Sequence, residues 1–417
     1  MLMDRLIFHV DVNSAFLSWE AARRVKRGEA DVRLVPACVS GDPASRRGVI
    51  LAKSIPAKKF GIVTGEPVSL ALRKCPDLLI LKADFRLYAA CSKAFKDICR
   101  DYAPVVEEFS IDECFLDMSG TGLIYPDPIA TAHEIKDRIR DELGFTVNVG
   151  IGRNKLCAKM ASDFEKPDKV HTLFPEEIPE KLWPLPVGDL LFVGKATAQR
   201  LVQAGIPTIG DLAKAEPERL QKLLGTRTAE QACRSANGID ESPVRAEPEA
   251  AKGVSNEVTL EEDVTDRERA MAILLSLSDS VTAHLRWEKA KAQTVTVHIR
   301  YSDFKNRSHG CTLPEAVDTG RAVYETAGKL LDELWKDRRP LRLMGIALTN
   351  LTREGDGEQL SLFGQERQKT REKDEKMDRT VDQLRRRFGS DIVQRGTSLT
   401  LKENVARKYK GKNDADL

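Results

Sequence analysis

The spacing of apolar and polar positions changes several times along the chain, and each change marks an element. Leu6-Ile7-Phe8-His9-Val10-Asp11-Val12 is a near-continuous apolar run of strand length ending on an aspartate, and Asn13-Ser14-Ala15-Phe16 opens a helix that runs to about Arg27. A mixed segment follows: a strand around Val32–Val39, a turn at Gly41-Asp42-Pro43, a short strand Gly48–Ala52 and a basic helix Ile55–Gly61. Leu87–Tyr102 carries the period of an amphipathic helix, with Leu87, Ala90, Ala94, Phe95 and Ile98 as its core face. Glu107–Asp117 reads as two half-buried strands meeting at a turn, with Phe109 and Ile111 before the turn, Phe115 beyond it and acidic residues at the apex. A helix Pro128–Glu142 and a strand Thr146–Gly152 ending in glycines complete a portion that alternates strands and helices, as a sheet domain does.

The texture then changes twice. From Trp183 to about Gly238 short helices are separated by Gly and Pro turns, and Asp240–Lys252, with Pro243 and Pro248, reads as a linker. Residues 253–350 restart with strand Asn256–Leu260, helix Asp266–Lys289, strands Gln293–Tyr301 and Ser308–Leu313, helix Thr319–Lys336 and strand Leu341–Asn350, a βαββαβ order. Within it Val295, Val297 and Ile299 share one strand face, while Thr294, Thr296, His298 and Arg300 face solvent or a phosphate backbone. A polar spacer Thr352–Glu358 precedes Gln359-Leu360-Ser361-Leu362-Phe363. Bulky apolar residues in a polar tail suit a docking peptide better than the chain's own core. The charged stretch Gln365–Lys376, a helix Met377–Phe388 and a Lys-rich end are expected to be solvated.

With 417 residues the chain is expected to form several domains. No apolar run approaches eighteen residues, which argues against a spanning helix, and the N-terminus reads as a strand rather than a signal peptide. Eight scattered cysteines without CxxC or zinc-finger spacing suit reduced thiols of a cytoplasmic protein. A formal net charge of only +2 means that any surface for nucleic acid must be local.

The candidate chemistry centres on carboxylates. The ordinary fate of an adjacent Asp112-Glu113 pair is a solvated acidic turn, and that of Asp11 a helix-start carboxylate. If Asp11 lies on a strand neighbouring the hairpin, however, the three supply an oxygen ligand set for two hard divalent cations. Lys58 and Lys59 are either an exposed helix face or phosphate contacts. The Val193-Gly194-Lys195 turn either joins two helices or aims backbone amides at a phosphate.

Asp11 with Phe16, Ser110-Ile111-Asp112-Glu113, Lys166-Pro167, the Val193-Gly194 turn and the terminal βαββαβ unit together resemble the Y-family translesion DNA polymerases, of the bacterial polymerase IV and polymerase V catalytic-subunit kind. The resemblance covers residues 1 to about 363. It implies an α+β multidomain right hand: an α/β palm at 1–22 and 84–173, small fingers at 23–83, a helical helix-hairpin-helix thumb at 174–240, a linker at 241–252, a βαββαβ little finger at 253–352 and a tail at 353–417. It implies two Mg²⁺ ions on Asp11, Asp112, Glu113 and the carbonyl of Val12, with Asp11 and Asp112 shared and Glu113 serving the ion nearest the primer hydroxyl. Phe16 matches the residue that excludes a ribose 2′ hydroxyl, and Lys58 and Lys166 match contacts to the triphosphate. Val193, Gly194 and Lys195 match the thumb's DNA contact, and Gln359, Leu360, Leu362 and Phe363 the peptide that docks on the sliding clamp. Primer-template DNA, dNTP and the clamp are the implied partners of a cytoplasmic monomer with no membrane role. Departures are Ile55 where many members carry a tyrosine, Ser14-Ala15 in place of an aromatic pair, and one thumb glycine instead of two. About fifty residues follow the peptide, which leans toward the polymerase V-like side. The competing classes are a catalytically inactive, clamp-bound DNA-binding scaffold, which an intact carboxylate triad disfavours, and a nucleotide cyclase, which leaves the βαββαβ unit and peptide unexplained.

Overall fold

The computed structural model describes residues 5–41, 48–247, 249–353, 365–389, 392, 393 and 396. The chain divides into two compact units, one of residues 1–43 and 48–248 and one chiefly of residues 249–417.

In the first unit β1 (Ile7–Val12) leads into α1 (Ala15–Lys26), as the apolar pattern predicts. A small layer follows, made of β2 (Ala37–Ser40), β3 (Ile50–Lys53), α2 (Ile55–Lys58), α3 (Val68–Lys74) and β4 (Leu79–Lys82). The strand expected from Val32 starts only at Ala37. Val32–Leu34 is instead a 3₁₀ turn, because Asp31 turns its side chain back onto the Arg33 amide and guanidinium. α3 and β4 were not predicted, their apolar runs being too short to show a period.

The chain then returns through α4 (Phe85–Arg100), β5 (Val105–Glu108), β6 (Glu113–Asp117), α5 (Pro128–Leu143), β7 (Val147–Gly152), α6 (Lys155–Ser162) and β8 (Val170–Leu173). The main sheet has the order β5-β6-β1-β7-β8, with β1 central and antiparallel to both neighbours. All six residues of β1 are buried, which is why its sequence is continuous rather than alternating. On α4 the buried face is Tyr88, Ser92, Phe95, Lys96, Ile98 and Cys99. Ala90, expected in the core, is exposed.

The glycines that end β7 have a packing reason. A Cβ on Gly150 would fall 2.0 Å from the Ala158 carbonyl oxygen and 2.4 Å from the Ser162 nitrogen, so only glycine lets α6 lie this close to the sheet. The unit ends in short helices, α7 (Lys195–Gln203), α8 (Ile209–Lys214), α9 (Pro217–Leu224) and α10 (Thr226–Ala236), around a core that includes Leu201, Ile209, Leu212 and Leu220. The first part of the expected linker is fastened down. The Arg5 guanidinium donates to the Ser242 carbonyl at 2.6 Å, the Arg245 amide donates to Glu107 at 3.0 Å, and Val244 is buried with Ile7, Phe115 and Ala158.

The second unit has the expected βαββαβ order: β9 (Gly253–Val264), α11 (Arg267–Trp287), β10 (Ala290–Tyr301), β11 (Asn306–Val317), α12 (Gly320–Leu334) and β12 (Leu341–Arg353). Its antiparallel sheet runs β11-β10-β12-β9. Val295, Val297 and Ile299 are buried as predicted. The tail departs from its solvated expectation. Its helix α13 (Gln365–Phe388) starts well before Met377 and docks within this unit. Arg286 meets Asp382 at 2.7 Å and Asp378 at 3.4 Å, and Asp378 is buried while accepting the Gly320 amide that opens α12. No hydrophobic period announces this contact, because charge pairs make it. Gln359–Phe363 lie outside the described residues.

Candidate active site

The three carboxylates gather at one end of β1. Asp11 stands directly across from Glu113 in the β1–β6 register, and the Val12 amide donates to the Asp112 carbonyl at 3.0 Å. The turn between β5 and β6 is set from within and below. The Ser110 hydroxyl donates to the Asp112 carboxylate at 2.7 Å, and the buried Lys96 ammonium donates to the Ser110 carbonyl at 2.7 Å and to Glu108 at 3.2 Å. Asp11 is only 7% exposed, and Asp112 and Glu113 are half-buried.

Two lysines neutralise this charge. Lys159, carried on α6 against the glycine end of β7, donates to Glu113 at 2.5 Å and to Asp11 at 3.2 Å. Lys166 donates to the same Asp11 oxygen at 3.0 Å and pairs with Asp163 at 2.8 Å. Burial pushes the Glu113 carboxyl up from its ordinary value; Lys159 pulls it back and the Asp11 charge adds to the rise. For Lys159 burial opposes the charge, but Asp11, Glu113 and Asp163 carry the ammonium well above the lysine range. Asp11 and Asp163 outweigh burial at Lys166 in the same way.

Among the described residues no three Asp, Glu, His or Cys side chains close into a metal cage; Asp11 and Glu113 pair with lysine ammoniums and Asp112 accepts the Ser110 hydroxyl. The donor set still fits hard divalent cations. Asp11, Asp112, Glu113 and the Val12 carbonyl offer oxygen only, and the buried Lys159 charge between Asp11 and Glu113 marks where positive charge is needed.

Beside the carboxylates opens a cleft of about 260 Å³ lined by Asp11, Val12, Phe16, Lys53, Thr64 and Asp112, among others. Ser14 turns the chain from β1 into α1 with φ 50° and ψ 48°, and Phe16 follows it into the cleft wall. The Phe16 ring stacks on Tyr88 with centroids 4.6 Å apart and planes 9° apart. Thus the structure brings Asp11, Val12, Asp112, Glu113, Phe16 and Lys166 together. Lys58 is exposed at the end of α2 and does not line the cleft. Val193 is half-buried and Gly194 and Lys195 are exposed; Gly194 precedes α7, whose first amides have no side-chain cap. Gln359, Leu360, Leu362 and Phe363 fall outside the described residues. The pattern missed Lys159, Lys96 and Lys53, since a lysine on a helix or strand end reads as solvated until its partners are known.

A larger groove, about 570 Å³, crosses the sheet of the second unit past Asn256, His298, Arg300 and Arg307. It holds His298 and Arg300 of the β10 polar face and one acidic side chain, Glu257, whereas Asp11 and Asp112 line the first cleft.

Residues 10–163 match the model of the impB/mucB/samB family, 251–362 that of the family's C-terminal domain, and 188–240 that of the DNA polymerase-iota thumb domain. DNA polymerase IV of Clostridium acetobutylicum is 42% identical over 402 residues, 96% of this chain and all of that protein. DNA polymerase IV 1 of Bacillus subtilis is 35% identical over 407 residues, 97% of this chain and 95% of that one. Among solved structures, a Y-family DNA polymerase chimera superposes with TM-score 0.72 at 23% identity, over 84% of this chain and 100% of the other. DinB from Sulfolobus solfataricus covers the same shares with TM-score 0.54 at 23% identity.

Proposed function

The chain belongs to the impB/mucB/samB family of Y-family DNA polymerases, and from that membership we propose that it is a DNA-directed DNA polymerase that adds dNTPs to a primer 3′ end during low-fidelity translesion synthesis. The observation that carries the chemistry is the in-register approach of Asp11 and Glu113 on adjacent strands, with Asp112 at the turn beside them. Asp11 and Asp112 would share two Mg²⁺ ions with help from the Val12 carbonyl, and Glu113 would serve the ion nearest the primer hydroxyl. Bound there, divalent cations supply a lowered hydroxyl pKa and neutralise charge on the transferring phosphoryl group.

The chain's own residues do the rest. Lys159 holds Asp11 and Glu113 together before substrate arrives, and Lys166, paired with Asp11, exchanges that partner for the triphosphate. Lys58 approaches the triphosphate from the fingers as a point charge. The Phe16 ring occupies the space a 2′ hydroxyl would need. Gly194 and Lys195 meet a DNA phosphate at the uncapped start of α7, and Val193 shapes that turn. His298 and Arg300 offer polar groups to a backbone from the β10 face. Gln359, Leu360, Leu362 and Phe363 dock on the sliding clamp. For the palm, fingers, thumb, linker, little finger and tail we keep the boundaries read from the sequence as part of the proposal, with the helix of the tail packed on the little finger. The tail after the peptide is compatible with the polymerase IV type, since a relative of that name aligns over 96% of this chain. No helix among the described residues is long and apolar enough to cross a membrane; we take the working form to be a cytoplasmic monomer.

Primer extension with Mg²⁺ tests the reading. Wild-type protein should extend a primer on template, and Asp112→Ala with Glu113→Ala should reduce extension to background. A wild-type protein that does not extend, or a double variant that extends equally, would return the chain to the scaffold class.

A further inference from the structure

The cleft beside the carboxylates contains a cation to which the sequence pattern assigns no role. Lys53 is the last residue of β3, where Ile50 and Ala52 are buried and Leu51 and Lys53 are half-buried, so the latter two share the opposite strand face. Both line the cleft together with Asp11, Asp112 and Phe16. The Lys53 ammonium donates to the Thr64 hydroxyl at 3.2 Å, and Thr64 lines the same cleft.

No carboxylate among the described residues hydrogen-bonds to Lys53. Glu66, the acidic group that acts on it electrostatically, is already committed to the Lys74 ammonium at 2.6 Å and the Val63 amide at 2.9 Å. Burial and then the charge of Lys58 hold Lys53 below the ordinary lysine value, with Glu66 offsetting part of this. A partly desolvated ammonium whose hydrogen-bond partner is neutral gains from an arriving anion. Its neighbours do not supply that contact from within the cleft lining. Ile55 is 56% exposed and has no donor, and Lys58 is exposed outside the lining.

We propose that Lys53 grips the phosphates of the incoming nucleotide from the β3 wall of the cleft that the carboxylates also line, with Thr64 holding its ammonium in place. The assignment rests on the polymerase reading and deepens it by naming a substrate contact. A DNA backbone phosphate has the same chemistry, so the test separates the two sources.

Full-length wild-type, Lys53→Gln and Lys53→Arg proteins would be compared in single-nucleotide insertion, in inhibition by and equilibrium binding of inorganic tripolyphosphate with Mg²⁺, and in primer-template affinity without nucleotide. For Lys53→Gln the KM for dNTP should rise about tenfold, as expected for one charged hydrogen bond, with a smaller change in kcat. The tripolyphosphate constant should weaken by a similar factor, DNA affinity should stay unchanged, and Lys53→Arg should recover most of the loss. An unchanged KM and unchanged tripolyphosphate binding would overturn the proposal. So would weakened DNA affinity with tripolyphosphate binding intact, which would give Lys53 to the DNA backbone. A wild-type protein that cannot extend a primer would sink the polymerase reading instead, and direct tripolyphosphate binding would still decide whether Lys53 holds phosphates.

Discussion

At the scale of single residues, Phe16 is held firmly enough for the steric task proposed for it. Its ring stacks on Tyr88 and also meets Trp19 at 5.8 Å and Phe85 edge-on at 6.2 Å. Tyr88 is itself held: its hydroxyl donates at 3.1 Å to Glu20, a 2% exposed carboxylate that Arg23 pairs at 2.7 Å. Turning the Phe16 ring would therefore disturb a buried stack and a buried polar contact together. Phe16→Ala opens the space beside the sugar, so the preference for dNTP over the matching ribonucleotide should fall by roughly 10- to 100-fold while dNTP insertion persists. Competing insertion of the two nucleotides measures this, and unchanged sugar selectivity would remove the role from Phe16. The carboxylates were singled out in the sequence by their combination with Asp11 and the motif that carries the family resemblance, since Asp112-Glu113 alone read as a solvated turn. Lys159 was not, since only the tight packing of α6 on Gly150 brings it between Asp11 and Glu113.

At the scale of elements, the hairpin and βαββαβ unit could be read because their apolar positions alternate or recur at helical spacing. α4 was read with an error at Ala90. A simple period counts small apolar residues as core, whereas the face that is buried includes the polar Ser92 and the Lys96 that supports the acidic turn. The start of α4 also links it to α1. Asp84 accepts the Leu87 amide and pairs with Arg23 at 2.7 Å. Burial would raise the Asp84 carboxyl, but the Arg23 hydrogen bond and the Leu87 amide hold it below the usual aspartate value. A depressed folded-state pKa gives stability that is present above the unfolded value of about 3.9 and lost as pH falls through the folded one. Asp84→Asn keeps a capping side chain but not the charge. Its Tm should lie modestly below wild type near pH 7, since Asp84 is more than a third exposed, and the gap should close as pH falls below about 4. Thermal melts across that range would contradict the ion-pair account if the gap persisted in acid.

At the scale of the molecule, changes of texture separated the sheet portion, the short helices and the βαββαβ unit, but not the tail. Helix α13 is held by Arg286, Lys291 and Arg321, which meet Asp382 and Asp378, Glu375 and Asp374 respectively. Such pairs join residues far apart in sequence and leave no local pattern, so a charged tail looks solvated until its partners are located. This anchoring bears on the proposed clamp peptide. Residues 359–363 lie between Arg353, where β12 ends, and Gln365, where α13 begins, and both elements pack within the second unit. Replacing Gln359, Leu360, Leu362 and Phe363 by alanine removes apolar anchors from the peptide without touching either flanking element. Synthesis stimulated by the sliding clamp should then fall to the unstimulated level, while clamp-free primer extension and Tm stay at wild-type values. Extension assays with and without clamp, run beside thermal melts, separate the outcomes. Loss of both activities with a lowered Tm would assign the peptide to folding of the second unit, whereas loss of stimulation alone is the behaviour of a docking peptide.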